Sequence, residues 1–185
     1  TFLKLWTGGW RLGVSQGLVT HALATVTGQT ASVIAERLMD SWPADSTWLS
    51  RFDQPVSPEE QQRSPVPFCL AQGWQPDTAD SRDIADYIIE YKWDGIRCQL
   101  IRAQGVTRLW SRGDQDITHQ FPDVVAASHA LPESCLLDGE LLVIQDGRPA
   151  TFHALQTRLN RKRVSAALQH SHPAQFRAYD LLRLD

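Results

Sequence analysis

No apolar run in the 185-residue chain approaches the ~18 residues of a membrane-spanning helix, so no membrane partner is expected. The opening residues do not follow the signal-peptide pattern. Cysteine is scarce: Cys69, Cys98 and Cys135 are odd in number and widely spaced. That argues against a disulfide framework and a cysteine-based zinc site, and fits a reducing cytoplasm. The histidines show no metal-ligand spacing. Neither Gly-x-x-x-x-Gly-Lys nor Gly-x-Gly-x-x-Gly occurs, which removes the P-loop and the dinucleotide fingerprint. Nor is there an excess of positive charge, since the net charge is −3.

The remaining composition is that of an ordinary globular protein, 42% hydrophobic and 21% charged. Charge is unevenly spread. Residues 51–89 are acidic, whereas Arg158, Arg161, Lys162 and Arg163 cluster within six positions. A local basic cluster can grip phosphate even in an acidic chain, although a solvated helix face is the simpler reading from charge alone.

Three textures follow one another. Over residues 15–52, Leu18, Val19, Ala22, Leu23 and Val26, then Val33, Ile34, Leu38 and Met39, recur at helical spacing. Ser15 and Thr30 are candidate N-caps and Gly28 a helix stop. Residues 54–83 carry Pro55, Pro58, Pro65, Pro67 and Pro76, and read as a linker or extended crossing. From Asp86 short strands dominate: "DYIIEYKW", then "IRCQLIRA" and "VTRLWSR" about Gln104-Gly105. "CLLDGELLVI" and "PATF" flank Asp146-Gly147, and "AQFRAYDLLRL" closes the chain. Helices are expected near 121–130, 152–161 and 164–170. The fold class is therefore α+β, with a helical part over 1–53, a linker over 54–83 and an α+β domain over 84–185.

Lys92 stands at the end of the first expected strand, just before the turn signal Asp94-Gly95. A lone lysine there is usually an edge-strand charge that blunts aggregation. A nucleophilic lysine must instead be neutral, which partial burial and neighbouring cations such as Arg97 and Arg112 favour. Its company decides between the two. Glu90, Lys92, Asp94, Gly95 and Arg97 spell Glu-x-Lys-x-Asp-Gly-x-Arg. Chance supplies such a match in only about one chain in ten thousand of this length, with residues taken as equally frequent.

That motif resembles the first motif of the covalent nucleotidyltransferases: ATP-dependent DNA ligases, RNA ligases and capping enzymes. Ser111-Arg112-Gly113, Asp138-Gly139-Glu140, "FRAYDLLRLD" and "FHALQTRLNRK" resemble further motifs of the superfamily in the expected order. "LKLWTGGWRLGVSQGLVTHALA" looks like the DNA-binding segment of bacterial and archaeal-type DNA ligases, which capping enzymes do not share. The resemblance implies a DNA ligase with a helical DNA-binding remnant and a truncated, ATP-grasp-like adenylation domain. It implies sealing of nicked duplex DNA by a cytoplasmic, bacterial, monomeric enzyme using ATP and Mg²⁺.

Residue by residue, the resemblance implies that Lys92 is the nucleophile and that Glu90, Arg97, Arg112, Glu140 and Tyr179 bind the nucleotide. Tyr179 would stack on the adenine, Asp94 would orient the lysine and its turn, and Glu140 would contact the ribose or the metal. Arg11, Gly13, Ser15 and Arg158 would meet DNA. The chain begins in residues that already read as structured and reaches Asp185 before the superfamily's later motifs. The expectation is that it does not seal nicks alone. An RNA ligase, a capping-type nucleotidyltransferase and a non-catalytic DNA-binding module are the competing readings.

Overall fold

In a computed structural model the chain is described over residues 14–38, 47–69, 85, 87–113, 115–159, 161 and 163–185. The expected N-terminal helices form where their caps place them. Helix α1 spans Gln16–Thr27, with the Ser15 hydroxyl accepting from the Leu18 amide at 3.2 Å and Gly28 closing it at φ 68°. Helix α2, Ala31–Arg37, starts on Thr30. Met39 lies outside the described residues.

The proline-rich stretch, expected to be a linker or extended crossing, contains a helix. Helix α3 spans Pro58–Arg63. Its start is a reciprocal capping box: the Glu60 amide donates to the Ser57 hydroxyl, and the Ser57 amide to Glu60 Oε2. Pro58 sits at the first turn, where its missing N–H costs nothing, so here proline begins a helix rather than breaking one. Glu60 also takes two bonds from Arg37, at 2.6 and 2.9 Å, tying α3 to α2.

Five antiparallel strands make one sheet: β1 (Ile96–Ala103), β2 (Val106–Ser111), β3 (Cys135–Gln145), β4 (Arg148–Pro149) and β5 (Ala174–Leu184). β2 pairs with β1 and β1 with β3, while β4 and β5 both pair with β3. Both hairpin turns have two residues at positive φ, Gln104-Gly105 and Asp146-Gly147, as a type I′ turn requires. The second strand of the later hairpin is only two residues long, because Phe152 already begins a helix.

Period-two alternation gives the sheet two different faces. One face places Cys98, Leu100, Leu109, Leu141 and Val143 in the main core. Val124 of helix α4 (Pro122–Ser128) and Leu155 of helix α5 (Phe152–Leu159) pack against them. Helix α6, Ala166–Ser171, leads into β5. The other face holds Ile101, Trp110 and Leu136 against Ala35 of α2. On that face the fully buried Gln99 exchanges two 2.9 Å bonds with the backbone of Val66, and Trp110 Nε1 donates to the Arg63 carbonyl. The stretch after α3 is thereby docked on the sheet.

The strand expected over 86–93 is corrected. Residues 87–93 form no strand, and Ile88, Ile89 and Tyr91 are 90, 79 and 81% exposed. β-branched and aromatic residues favour strands only where a neighbour supplies hydrogen bonds and burial, and here the ladder begins at Ile96. Among the described residues no helix is long and apolar enough to cross a membrane.

Candidate active site

Residues 90–95 lead into β1 beside β3, and Gly95 fixes them there. Its amide donates to Glu140 Oε1 at 3.1 Å. A Cβ on residue 95 would lie 2.3 Å from the Leu141 carbonyl oxygen and 2.7 Å from Leu142 Cδ2. Only glycine lets the backbone ride this close on β3.

Glu140 is 7% exposed and bonded at both oxygens: Oε2 accepts from the Tyr179 hydroxyl at 2.9 Å. Burial pushes its carboxyl above the usual carboxylate range. The Tyr179 hydroxyl, the Gly95 amide and the charges of Arg97 and Lys92 pull it back only in part. Burial, and then the bond to Glu140, push the Tyr179 phenol well up. Tyr179 reaches this position through a bulge. Ala178 faces Gly139 and Asp180 faces Asp138, so Tyr179 between them has no cross-strand partner.

Arg97 forks onto Asp138, with Nε to Oδ1 at 3.2 Å and Nη2 to Oδ2 at 3.0 Å. Asp138 is 1% exposed, and the guanidinium stands 5.8 Å from the Tyr179 ring centroid. The Arg112 amide donates to the Arg97 carbonyl, which brings the exposed end of β2 to the same place.

These groups surround a cleft of about 840 Å³, in the size range of ~300–1,000 Å³ typical of ligand sites. Glu90, Lys92, Arg97, Arg112, Glu140 and Tyr179 all line it. Lys92 is exposed at its edge rather than shielded at a strand end. Phe152, at the start of α5, also lines the cleft and was not among the expected site residues. The available signal was an aromatic side chain opening a helix directly after a hairpin. A smaller hollow beside Arg37 offers no comparable chemistry, because that guanidinium is already spent on Glu60 and on the carbonyls of Arg51, Phe52, Gln54 and Pro55.

The remaining expected residues lie elsewhere. Ser15 caps α1, and Arg11 and Gly13 fall outside the described residues. Arg158 is corrected. It is 0% exposed, forked onto Asp123 at 2.6 and 2.7 Å, and bonded to the carbonyls of Gln120 and His172. Phe121 covers it at 4.9 Å, so no face is left for a DNA phosphate. Its place in a basic run concealed a position on the inward stripe of α5.

Glu140→Gln gives the first prediction. The raised carboxyl means that the folded protein favours the protonated form. Glu140 therefore stabilises the fold best below the ordinary carboxylate range, and that contribution is lost as pH rises through its raised value. Glu140→Gln is expected to melt at or above the wild-type temperature at pH 7, with wild type gaining on the variant as pH falls toward ~4. Melts at the two pH values check this.

A family model described as "ATP dependent DNA ligase domain" matches residues 71–185. A probable DNA ligase of Koribacter versatilis is 32% identical over 181 residues, 97% of this chain and 31% of that protein. A probable DNA ligase of Opitutus terrae is 34% identical over 219 residues, 99% of this chain and 22% of that protein. A solved structure, mycobacterial DNA ligase D complexed with ATP and MES, shares 33% identity at a TM-score of 0.40, covering 52% of this chain and 29% of that one. The chain thus spans less than a third of the length of these curated relatives.

Proposed function

Because the chain belongs to the family of ATP-dependent DNA ligase domains, we propose that its cleft performs the nucleotide-activating step of DNA nick sealing, with Lys92 as the nucleophile. The observation that carries this reading is convergence. Glu90, Lys92 and Arg97, with Arg112, Glu140 and Tyr179 from three separate segments, line one cleft.

Neutral Lys92 Nζ attacks the α-phosphorus of ATP. A P–N bond forms, the bond from phosphorus to the bridging oxygen breaks, and pyrophosphate leaves with the electron pair. The proton released from nitrogen passes to solvent. An oxygen of the nick's 5′-phosphate then attacks that phosphorus, the P–N bond breaks and Lys92 is released; the 3′-hydroxyl oxygen attacks the 5′-phosphorus, loses its proton to solvent, and AMP leaves with the electron pair. Such transfers depend mainly on positioning and charge neutralisation. Arg112, exposed on the rim, suits phosphate contact, while Arg97 offers a fixed charge already oriented by Asp138. The Tyr179 and Phe152 rings suit the adenine, and Glu90 its exocyclic amine. Glu140 acts first as the anchor of the lysine-bearing turn.

Mg²⁺ does not fit a protein-only site. Both Glu140 oxygens and both Asp138 oxygens are hydrogen-bonded, and the described residues hold no group of three metal-ligating side chains. The metal expected from the resemblance would arrive on the triphosphate, whose oxygens are suitable hard ligands.

The proposed organisation is a helical DNA-binding part over 1–53, where Arg11, Gly13 and Ser15 meet duplex DNA, and a connecting stretch over 54–83. An ATP-grasp-like adenylation part over 84–185 follows. The proposed substrate is nicked duplex DNA, met by a cytoplasmic bacterial monomer.

Intact-protein mass after incubation with ATP and Mg²⁺ tests the reading. One AMP adduct is expected on wild type and none on Lys92→Ala. An adduct that survives Lys92→Ala, or that forms better with GTP, would overturn it.

A further inference from the structure

Arg177 stands inside the stretch "FRAYDLLRLD", but the resemblance gives it no role. It lies on β5 opposite Glu140, and it is not among the residues lining the cleft. Its guanidinium nevertheless stands 4.4 Å from the centroid of the Trp93 ring. Trp93 in turn stacks on Tyr91, with ring centroids 5.4 Å apart and planes 33° apart. The two rings that flank Lys92 in sequence thus pack on each other.

Among the described residues, 88–93 form no strand, and Ile88, Ile89 and Tyr91 are largely exposed. Glu140 grips the segment at Gly95, three residues past the lysine. Neighbouring positions on paired strands, Glu140 and Arg177, therefore hold points two residues apart in the segment. We propose that Arg177 is a positioning residue, clamping Trp93 so that Lys92 is presented to the cleft at a fixed place. This inference rests on the reading of Lys92 as the nucleophile.

An arginine over an indole is the favoured cation–π pair, and it holds without consuming a hydrogen bond or placing a charge in the cleft. Misplacing a reacting group by about 1 Å can cost ~100-fold in rate. A positioning residue therefore shows itself in the rate of the chemical step while ATP affinity is retained.

The test uses Arg177→Ala, Arg177→Lys, Trp93→Ala and the double alanine variant, with three readouts: the rate of AMP-adduct formation at saturating ATP, the ATP dissociation constant, and hydrogen exchange of the Gly95 amide. Arg177→Ala should slow adduct formation ~10-fold or more, with ATP affinity unchanged. It should also speed exchange at Gly95, since loosening the segment opens that bond. Arg177→Lys, which keeps the cation, should recover most of the rate. Trp93→Ala should match Arg177→Ala, and the double variant should add nothing. Unchanged Gly95 exchange in Arg177→Ala overturns the clamp. So does a loss of ATP affinity at unchanged rate, which would make Arg177 a nucleotide contact. If wild type forms no adduct, the reading of Lys92 fails, and Gly95 exchange still decides whether Arg177 holds the segment.

Discussion

Gly95→Ala should cut AMP-adduct formation by ~100-fold or more, the loss that a displacement of about 1 Å can produce. The added carbon would stand 2.3 Å from a backbone oxygen of β3, and 2.8 Å from Glu140 Cγ. Neither the strand nor the buried glutamate can give way cheaply, so the lighter partner, the turn itself, must lift. Lifting it breaks the bond from Gly95 to Glu140 and moves Lys92 with it. The stability cost should be modest, ~1–3 kcal/mol for overpacking one site. The expected signature is a melting temperature lowered by roughly 2–12 °C beside an adduct rate lowered far more steeply. A time course of intact mass decides it, and an adduct forming at the wild-type rate would show that the turn need not touch β3.

Arg158→Met should produce the reverse signature. Methionine keeps most of the apolar volume but leaves Asp123 and three carbonyl bonds without their donor. Breaking a buried pair by removing one partner costs ~3–5 kcal/mol, or roughly 6–20 °C in a chain of this size. Burial alone would raise the Asp123 carboxyl. The Arg158 bonds and the Ala174 amide outweigh burial and hold it below its ordinary value. A depressed carboxyl stabilises the fold above its unfolded value and loses that contribution as pH falls through the folded one. The gap between wild type and Arg158→Met should therefore narrow below pH ~4. If DNA affinity fell while the melting temperature held, Arg158 would be a phosphate contact after all.

What the sequence disclosed depended on how local each signal was. Caps at Ser15 and Thr30, both hairpin turns and the full length of β5 rest on neighbours in sequence, and they formed where expected. The cleft residues were legible because the stretches that hold them resemble, one motif at a time, those of a known superfamily. Three features escaped, each for a non-local reason. Residues 88–93 had the right side chains for a strand, yet among the described residues the ladder begins only at Ile96. Pro58 falls in a stretch expected to be a linker or extended crossing, although Ser57 and Glu60 made it the start of a helix. Arg158 was judged by its basic neighbours in sequence, whereas its fate was set by Asp123 and the carbonyl of Gln120, 35 and 38 residues away.

The paired bonds between Gln99 and Val66 bear on how this protein can be dissected. A piece cut at residue 84 would carry β1 but not Val66 or Arg63. The Gln99 amide would lose both of its partners and the Trp110 indole its acceptor. Buried polar groups stripped of partners cost ~1–3 kcal/mol each, so such a piece starts life handicapped. A cut placed ahead of Ser57 keeps α3 and its trailing segment with the sheet. That cut in turn parts Glu60 from Arg37, so α2, α3 and the sheet are best kept on one piece.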